Sequence, residues 1–451
     1  MKRHIRHILF SVFVLLFLII GSYLILIAQG FTVDFKNLRV EKTGAIFLKF
    51  NPRNAVLSIN EEETEHTQKG LLSSGGLIVK NLIPGFYDLK ISKEGYYDWT
   101  KTLEVRSGLI TSESHIRLWP KKFPGEMPLG ENVEDFWLTG KGVVYKNKNS
   151  GIIFEDTALK GDTVFLSELE SKLLVTKSGE DYFLIDLEKP RSAVNLTHLF
   201  NSLKQRQLNL PGVVPVTGVF FHSFSPNKIL VTSWTSLYAI DVKKIEIEKL
   251  VTLENIKLAR TGANDAFVTD DKGNLTTINL LLKTVIGEPI ELGEVKDFRV
   301  DSEGTDIYAL TSEGELKIYN RSSGKIETIA QKVEDFEISP EGKRMIITTA
   351  DGLKIFYIKK FEEDLKYEAG TLMEIPNTTA EIKELVWLAN FPNYIAFLKD
   401  GVLIFQETDS REPTNSNPLL EGIRKYGVRD KKLYLLKENG ELIVFSIAED
   451  V

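Results

Sequence analysis

The chain repeats a short phrase. "VEDFWL" begins at Val133, "VKDFRV" at Val295 and "VEDFEI" at Val333. The last two lie 38 residues apart and the first two 162, which is four steps of about 40, the period of a propeller blade. A chain that repeats at this interval builds one supersecondary unit many times and buries its core between neighbours.

The unit itself is legible: an apolar strand, a turn, a second apolar strand, a tight glycine turn, then a third strand. Second strands are predicted at 143–147, 172–177, 228–233, 265–270, 306–311, 344–349, 394–399 and 432–437, and third strands at 151–156, 182–187, 237–242, 275–280, 316–321, 353–358, 402–407 and 442–447. The turns include Lys272-Gly273, Glu313-Gly314, Asp351-Gly352, Asp400-Gly401 and Asn439-Gly440, all hairpin dipeptides. Eight such pairs imply eight blades of four strands, with seven as the alternative because the first unit is short and one interval is stretched. The last unit stops after its third strand, so "GEMPLGENVEDF" from Gly125, which matches "GEPIELGEVKDF" from Gly287, is expected to supply the missing strand through Glu126–Gly130. A helical period is absent after residue 30 except around 195–203. Ser225-Pro226-Asn227-Lys228 and Ser339-Pro340-Glu341-Gly342-Lys343 resemble the Ser-Pro-Asp-Gly turn of the WD40-like repeats in TolB-type propellers, although the Gly-His and Trp-Asp marks of true WD40 repeats are missing.

The N-terminus constrains location. Residues 8–28, "ILFSVFVLLFLIIGSYLILIA", carry no charge and are long enough to cross a bilayer as a helix. Lys2, Arg3 and Arg6 precede them, so the positive-inside rule places the N-terminus in the cytoplasm and everything after Gln29 outside a bacterial-type cytoplasmic membrane. A cleaved signal peptide is the competing reading, but its apolar region is shorter and a small-x-small site is missing near Ala28. The expected partner of residues 8–28 is therefore the lipid bilayer.

Between the anchor (1–30, then a linker over 31–43) and the repeats (121–451), residues 44–120 read as six short strands: 45–50, 55–60, 77–82, 86–92, 101–106 and 114–119. Pro84-Gly85 predicts a type II turn with positive φ at the glycine, and Gly95 a second position that a side chain would block. Pro52-Arg53-Asn54-Ala55, Pro84-Gly85 and Lys93-Glu94-Gly95-Tyr96 resemble the PEGA domain, a small β-sandwich of bacterial envelope proteins. The first motif keeps only its ends, and the family's Gly and Thr-Pro are replaced by "EEETEHTQKGLLSSGG". The resemblance implies a non-catalytic β-module in an extracytoplasmic setting. The fold class expected for the whole chain is thus all-β: a transmembrane helix, a PEGA-like sandwich and a β-propeller.

Reactive chemistry is sparse. The chain has no cysteine, which excludes disulfides, thiolate metal sites and cysteine nucleophiles. The formal charge of −7 gives no basic footprint for nucleic acid. His66, His115, His198 and His222 show no metal-ligand spacing, and neither a Gly-x-Ser-x-Gly elbow nor a phosphate loop occurs. Glu61, Glu62, Glu63 and Glu65 with His66 read as a solvated acidic loop. No cofactor is expected. The candidate binding residues are positional. Asp135, Asp297 and Asp335 recur in the strand that lines a propeller channel, either as part of an acidic ring or as structural partners of neighbouring amides. The longest link between units, 198–216, carries Lys204, Arg206, Leu208 and Leu210 and is expected to form a contact face. Segments 359–370 and 408–417 are expected to be solvated connections on the opposite face. These features point to an envelope binding or scaffold protein for a protein, peptide or cell-wall polymer. An extracytoplasmic propeller hydrolase or lyase is the alternative.

Overall fold

The structure, a computed structural model, describes residues 3–34, 39–63, 76–166, 172–222, 225, 227–262, 264–301, 303–362, 366–376, 378 and 381–447. Lys2, Glu65, His66, Pro226 and Asn377 lie outside the described residues.

Helix α1 (Arg3–Ala28) leads into a hairpin of Phe31–Asp34 with Arg39–Lys42. Two sheets then share one core. A three-stranded sheet orders Leu77–Leu82, Gly44–Asn51 and Ile110–Arg117, and a four-stranded sheet orders Glu62–Glu63, Val56–Ile59, Gly85–Ser92 and Trp99–Val105. Alternation drives this packing. Ile46, Leu48 and Phe50 from one sheet meet Leu57, Leu89, Ile91 and Leu103 from the other, all buried. One turn differs from expectation. Gly85 opens its strand without a positive φ, and Asn81 (φ 61°) makes the left-handed step instead. Gly95 has the expected positive φ of 80°.

Eight four-stranded antiparallel sheets follow among the described residues, a β-propeller arrangement. Their first strands are Val133–Leu138, Thr163–Leu166, Gly218–Phe221, Ile256–Thr261, Val295–Val300, Val333–Ile338, Lys383–Trp387 and Ile423–Arg429. Buried clusters fill each interface between neighbours. Ile278 and Ala266 of the fourth sheet pack on Leu230 and Leu237 of the third, for example. Phe298 of the fifth packs on Phe267 of the fourth. The sequence closes on itself: Leu436 and Leu442 of the eighth sheet pack on Val133 and Phe136 of the first. The eighth sheet takes its outer strand from the N-terminal side of the ring. Met127–Gly130 pairs antiparallel with Leu442–Ser446, with Met127 opposite Val444 and Pro128 opposite Ile443. The chain thereby closes the ring with an early strand, and the final edge does not stay open.

The sandwich docks on the seventh and eighth sheets. Trp119 sits edge-on to Phe391, Tyr394 and Phe405, with ring centroids 4.6–5.6 Å away. Arg117 donates to the carbonyl of Ile447 (2.8 Å), and its own N–H reaches the Tyr394 hydroxyl (3.0 Å). The Thr408–Asn417 connection, expected to be solvated, is partly buried: Thr408, Asp409, Asn415 and Asn417 are buried, while Glu412, Pro413 and Ser416 stay exposed. Asn415 exchanges hydrogen bonds with the backbone of Thr100 (2.9 and 3.0 Å). Asp409 bonds Arg411, which also bonds Glu113. In the 359–370 connection Phe361 and Tyr367 fold onto Tyr357, while Lys359, Lys360, Glu362, Lys366 and Glu368 are exposed as expected. A polar segment is not necessarily wet, because paired charges can be buried against another module.

Candidate channel-mouth site

The repeated phrase encodes a β-bulge. Plain alternation puts residues i and i+3 on opposite faces of a strand. Yet Val133 and Phe136 are both buried, as are Val295 and Phe298, and Val333 and Phe336. The pairing register shifts between the valine and the aspartate in all three strands. That extra residue lets both apolar side chains enter the same interface and re-aims the aspartate, a known use of bulges.

The aspartates do not form a bare acidic ring. Asp135 accepts the N–H of Phe136 (2.8 Å) and pairs with Lys425 Nζ (2.8 Å) from the eighth sheet. Asp297 pairs with Arg299 (2.6 Å) on its own strand and with Arg260 (3.2 Å) from the fourth sheet. Asp335 is exposed and accepts the N–H of Phe336 (2.8 Å). The bases also cover the buried rings of the next sheet: Lys425 over Phe136 (5.5 Å), Arg260 over Phe298 (6.0 Å) and Arg299 over Phe336 (5.9 Å). Lys425 and Arg260 therefore tie two sheets by charge and by cation–π attraction, and Arg299 reaches the next sheet through its cation–π contact.

A cavity of about 660 Å³ opens where the first-to-second-strand turns gather. Its walls come from four sheets: Gly140; Glu337, Ile338 and Pro340; Val386, Trp387, Ala389 and Asn390; and Val428 to Lys431. The walls are pinned to one another. Trp387 Nε1 donates to the Glu337 carbonyl (3.1 Å), and Arg429 donates to the carbonyls of Thr139 and Gly140. Inside this frame the Glu337 carboxylate has no hydrogen bond among the described residues. Burial pushes its pKa up, Arg299 works against that, and Asp335 and Asp297 add to the rise. Lys431 and Asn390 are exposed at the rim. The cavity thus offers a half-buried carboxylate, an ammonium, an amide and a tryptophan edge. Among the described residues no group of three or more His, Asp or Glu is placed to hold a metal.

The link expected to carry a contact face is built differently. Residues 196–208 form helix α2 (Leu196–Leu208), capped by Asn195, whose side chain accepts the His198 N–H. Leu196, Phe200 and Leu203 enter the core between the second and third sheets. Lys204 is buried, and its ammonium donates to the Gly212 carbonyl (2.7 Å). It closes its own loop and does not face a partner. Arg206 remains exposed. Gln207 ties the helix to the outer strand of the third sheet through Ile245 and Ile247. The cavity lies at the other mouth, and neither Lys204 nor Arg206 lines it. Glu337 was readable only as the third charge of "VEDFEI", two positions beyond the aspartate, while Asn390 and Lys431 carry no repeat signal.

No protein-family model and no curated protein matches the chain. Solved structures that align with it include the tricorn protease (13% identity, TM-score 0.45, 83% of this chain and 43% of that one) and BamB from Moraxella catarrhalis (13%, 0.42, 73% and 98%). Hsv2 of Kluyvelomyces marxianus aligns at 9% identity and a TM-score of 0.40, over 69% of this chain and 90% of that one. The chain therefore spans less than half the length of the tricorn chain.

Proposed function

We propose that this chain is a membrane-anchored binding protein of the cell envelope, built as an apolar span, a PEGA-like sandwich and an eight-bladed propeller that presents its channel mouth outside the membrane. The single observation that carries the binding reading is the cavity of about 660 Å³ framed by four sheets, with Glu337 left free to meet a ligand. Mixed charge beside a tryptophan edge suits a chain segment of a peptide or a cell-wall polymer better than a small apolar molecule. The anchor reading rests on Leu9–Leu26, a window with mean hydropathy 2.8 and no burial against the rest of the molecule. The PEGA-like reading is supported by the shared core of the two sheets and by the left-handed Gly95 in its Lys-Glu-Gly-Tyr turn.

The test is site-directed photocrosslinking in cells. A photoreactive residue at Asn390, on the cavity rim, should yield a discrete adduct that Glu337→Gln weakens. The same residue at Val213, on the α2 link, should not. Equal crosslinking from both positions, or none from Asn390, would remove the mouth as the binding site.

A further inference from the structure

The sandwich has two ends, and they differ in chemistry. The end holding Trp99, Arg117 and Trp119 is docked on the ring. The opposite end is where Gly44–Asn51 begins, where Gly85–Ser92 begins and where Trp99–Val105 turns into Ile110–Arg117. Three large apolar side chains stand exposed there: Phe86 (73%), Leu109 (56%) and Ile110 (64%). No element among the described residues covers them.

This end is tied to the exit of α1 with no slack. The helical turn extends through Gln29, whose N–H still reaches Ile25 and Leu26. The Gly30 carbonyl accepts both the N–H (2.7 Å) and the hydroxyl (2.8 Å) of Thr43. The Thr43 carbonyl accepts the N–H of Gly108 (3.0 Å), and Ala45 donates to Leu109 (3.0 Å). The loop is also fixed in shape. A Cβ on Gly44 would lie 2.5 Å from Val105 and 2.6 Å from the Arg106 carbonyl, and Gly108 has φ 69°.

Distances along the helix set the depth. From Leu26, the end of the apolar window, to Gly30 is four residues, about 6 Å at ~1.5 Å per residue. The polar headgroup layer on one side of a bilayer is about 5–7 Å thick, from a core of ~30 Å and a full thickness of ~40–45 Å. Gly30 therefore sits within that layer whenever α1 spans, and Leu109 is two hydrogen bonds away. Lys42, whose side chain lies against Gly108, flanks the tip as a base suited to headgroup phosphates, while Arg106 at the same tip is paired with Glu104 (2.7 Å).

We propose that the tip Arg106–Ile110, together with Phe86, seats in the outer headgroup layer of the bilayer that α1 crosses, as a second membrane contact that sets the tilt of the sandwich and ring. This rests on the anchor reading given above. The partner is the lipid surface itself: the patch is small and apolar, with Lys42 and the Arg106–Glu104 pair at its rim, and it is held at interface depth by its own chain.

The chain has no cysteine, so single cysteines label cleanly. The full chain, carrying Leu109→Cys, Phe86→Cys, Leu16→Cys or Val213→Cys with an environment-sensitive NBD dye, is reconstituted into phosphatidylcholine vesicles containing lipid with a doxyl quencher high on the acyl chain. Labels at Leu109 and Phe86 should show blue-shifted emission and clear quenching, Leu16 the same, and Val213 neither. Quenching at Leu16 with Leu109 and Phe86 behaving like Val213 would overturn the second contact while leaving the anchor intact. Absence of quenching at Leu16 would overturn the anchor and the proposal with it.

Discussion

Lys101 of the sandwich and Glu407 of the seventh propeller sheet form an ion pair of 2.8 Å in which both side chains are almost fully removed from water. The lysine stands on the core-facing side of its strand, in line with Trp99 and Leu103, where an aliphatic residue is the usual choice. Its ammonium also meets Asp409 (3.4 Å) and the Arg411 carbonyl (3.1 Å), and Glu407 accepts from Trp99 Nε1 (3.2 Å) and Asn415 (2.8 Å). Such a group is neutralised and hydrogen-bonded only when sandwich and ring are joined. The pair thus specifies one relative placement of the two modules.

Lys101→Met should be strongly destabilising, by about 3–5 kcal/mol, because it leaves the buried Glu407 carboxylate without its cation. The double variant Lys101→Met with Glu407→Gln should recover part of the loss, since the amide oxygen can still accept from Trp99. Urea unfolding of the detergent-solubilised chain measures both. A neutral Lys101→Met would mean the joint is held by the aromatic contacts of Trp119 alone.

The joint also sets a pH dependence. Burial disfavours ionised Asp409, but hydrogen bonds from Arg411 and the charge of Lys101 outweigh it, and its pKa falls below the ordinary value. A carboxylate with a depressed folded pKa contributes stability that is present above its unfolded pKa of about 4 and is lost as pH falls through the folded value. Glu337 has the opposite sign. Its raised pKa costs stability as pH rises from about 4.3 through the folded value, so Glu337→Gln should stabilise the chain at neutral pH and flatten that slope. Melting curves from pH 3 to 8 should show Asp409→Asn removing the acid-side loss and Glu337→Gln removing the other.

Much of the ring was legible because its local signals agree with its global packing. Arg344–Thr349, Tyr394–Lys399 and Val402–Glu407 fall where apolar runs and glycine turns placed them. The closing strand was legible because "GEMPLGENVEDF" repeats a phrase found mid-ring. Side-chain roles were less so. Val133 and Phe136 share a face only through a bulge, which a period-2 reading hides although the spacing of the two apolar residues carries it. Lys204 was expected on a contact face and Asp409 in a solvated connection, because charge in a loop usually faces outward; each is buried against a partner that lies far off in sequence or behind a turn. Nothing local marks Thr408–Asn417 as an interface, since its complement is Trp99 to Thr102, more than 300 residues earlier.

Turn glycines separate by what lies beside them. Gly273 has φ 83°, and a Cβ there would fall 1.7 Å from the Gly293 carbonyl oxygen at the link to the fifth sheet. Gly324 has φ 71° with nothing within 4 Å. Gly324→Ala should cost about 1 kcal/mol from the left-handed backbone alone, whereas Gly273→Ala should cost at least ~3 kcal/mol because the two backbones must separate. Equal melting temperatures for the two variants would contradict the close approach.

Closure by Met127–Gly130 predicts where the ring opens. Replacing these four residues with glycine and serine keeps the tether's length but removes the outer strand of the eighth sheet. The melting temperature should fall by on the order of 5 °C if the pairing contributes a few kcal/mol. Amide exchange should accelerate in Leu442–Ser446, the partner strand, before it does elsewhere. Unchanged protection of that strand would refute the closure.

The central claim is that the ring and its mouth are displayed outside the cell on a single uncleaved span. Val213 is 86% exposed, and the chain has no other cysteine to confuse the readout of Val213→Cys. Intact bacterial cells producing this variant are treated with a membrane-impermeant maleimide, and labelling is compared with that of lysed cells by mass of the membrane-bound full-length chain. The account predicts full labelling before lysis, on a chain that still carries residues 8–28. Labelling that appears only after lysis, or only on a shortened chain in the soluble fraction, would contradict it.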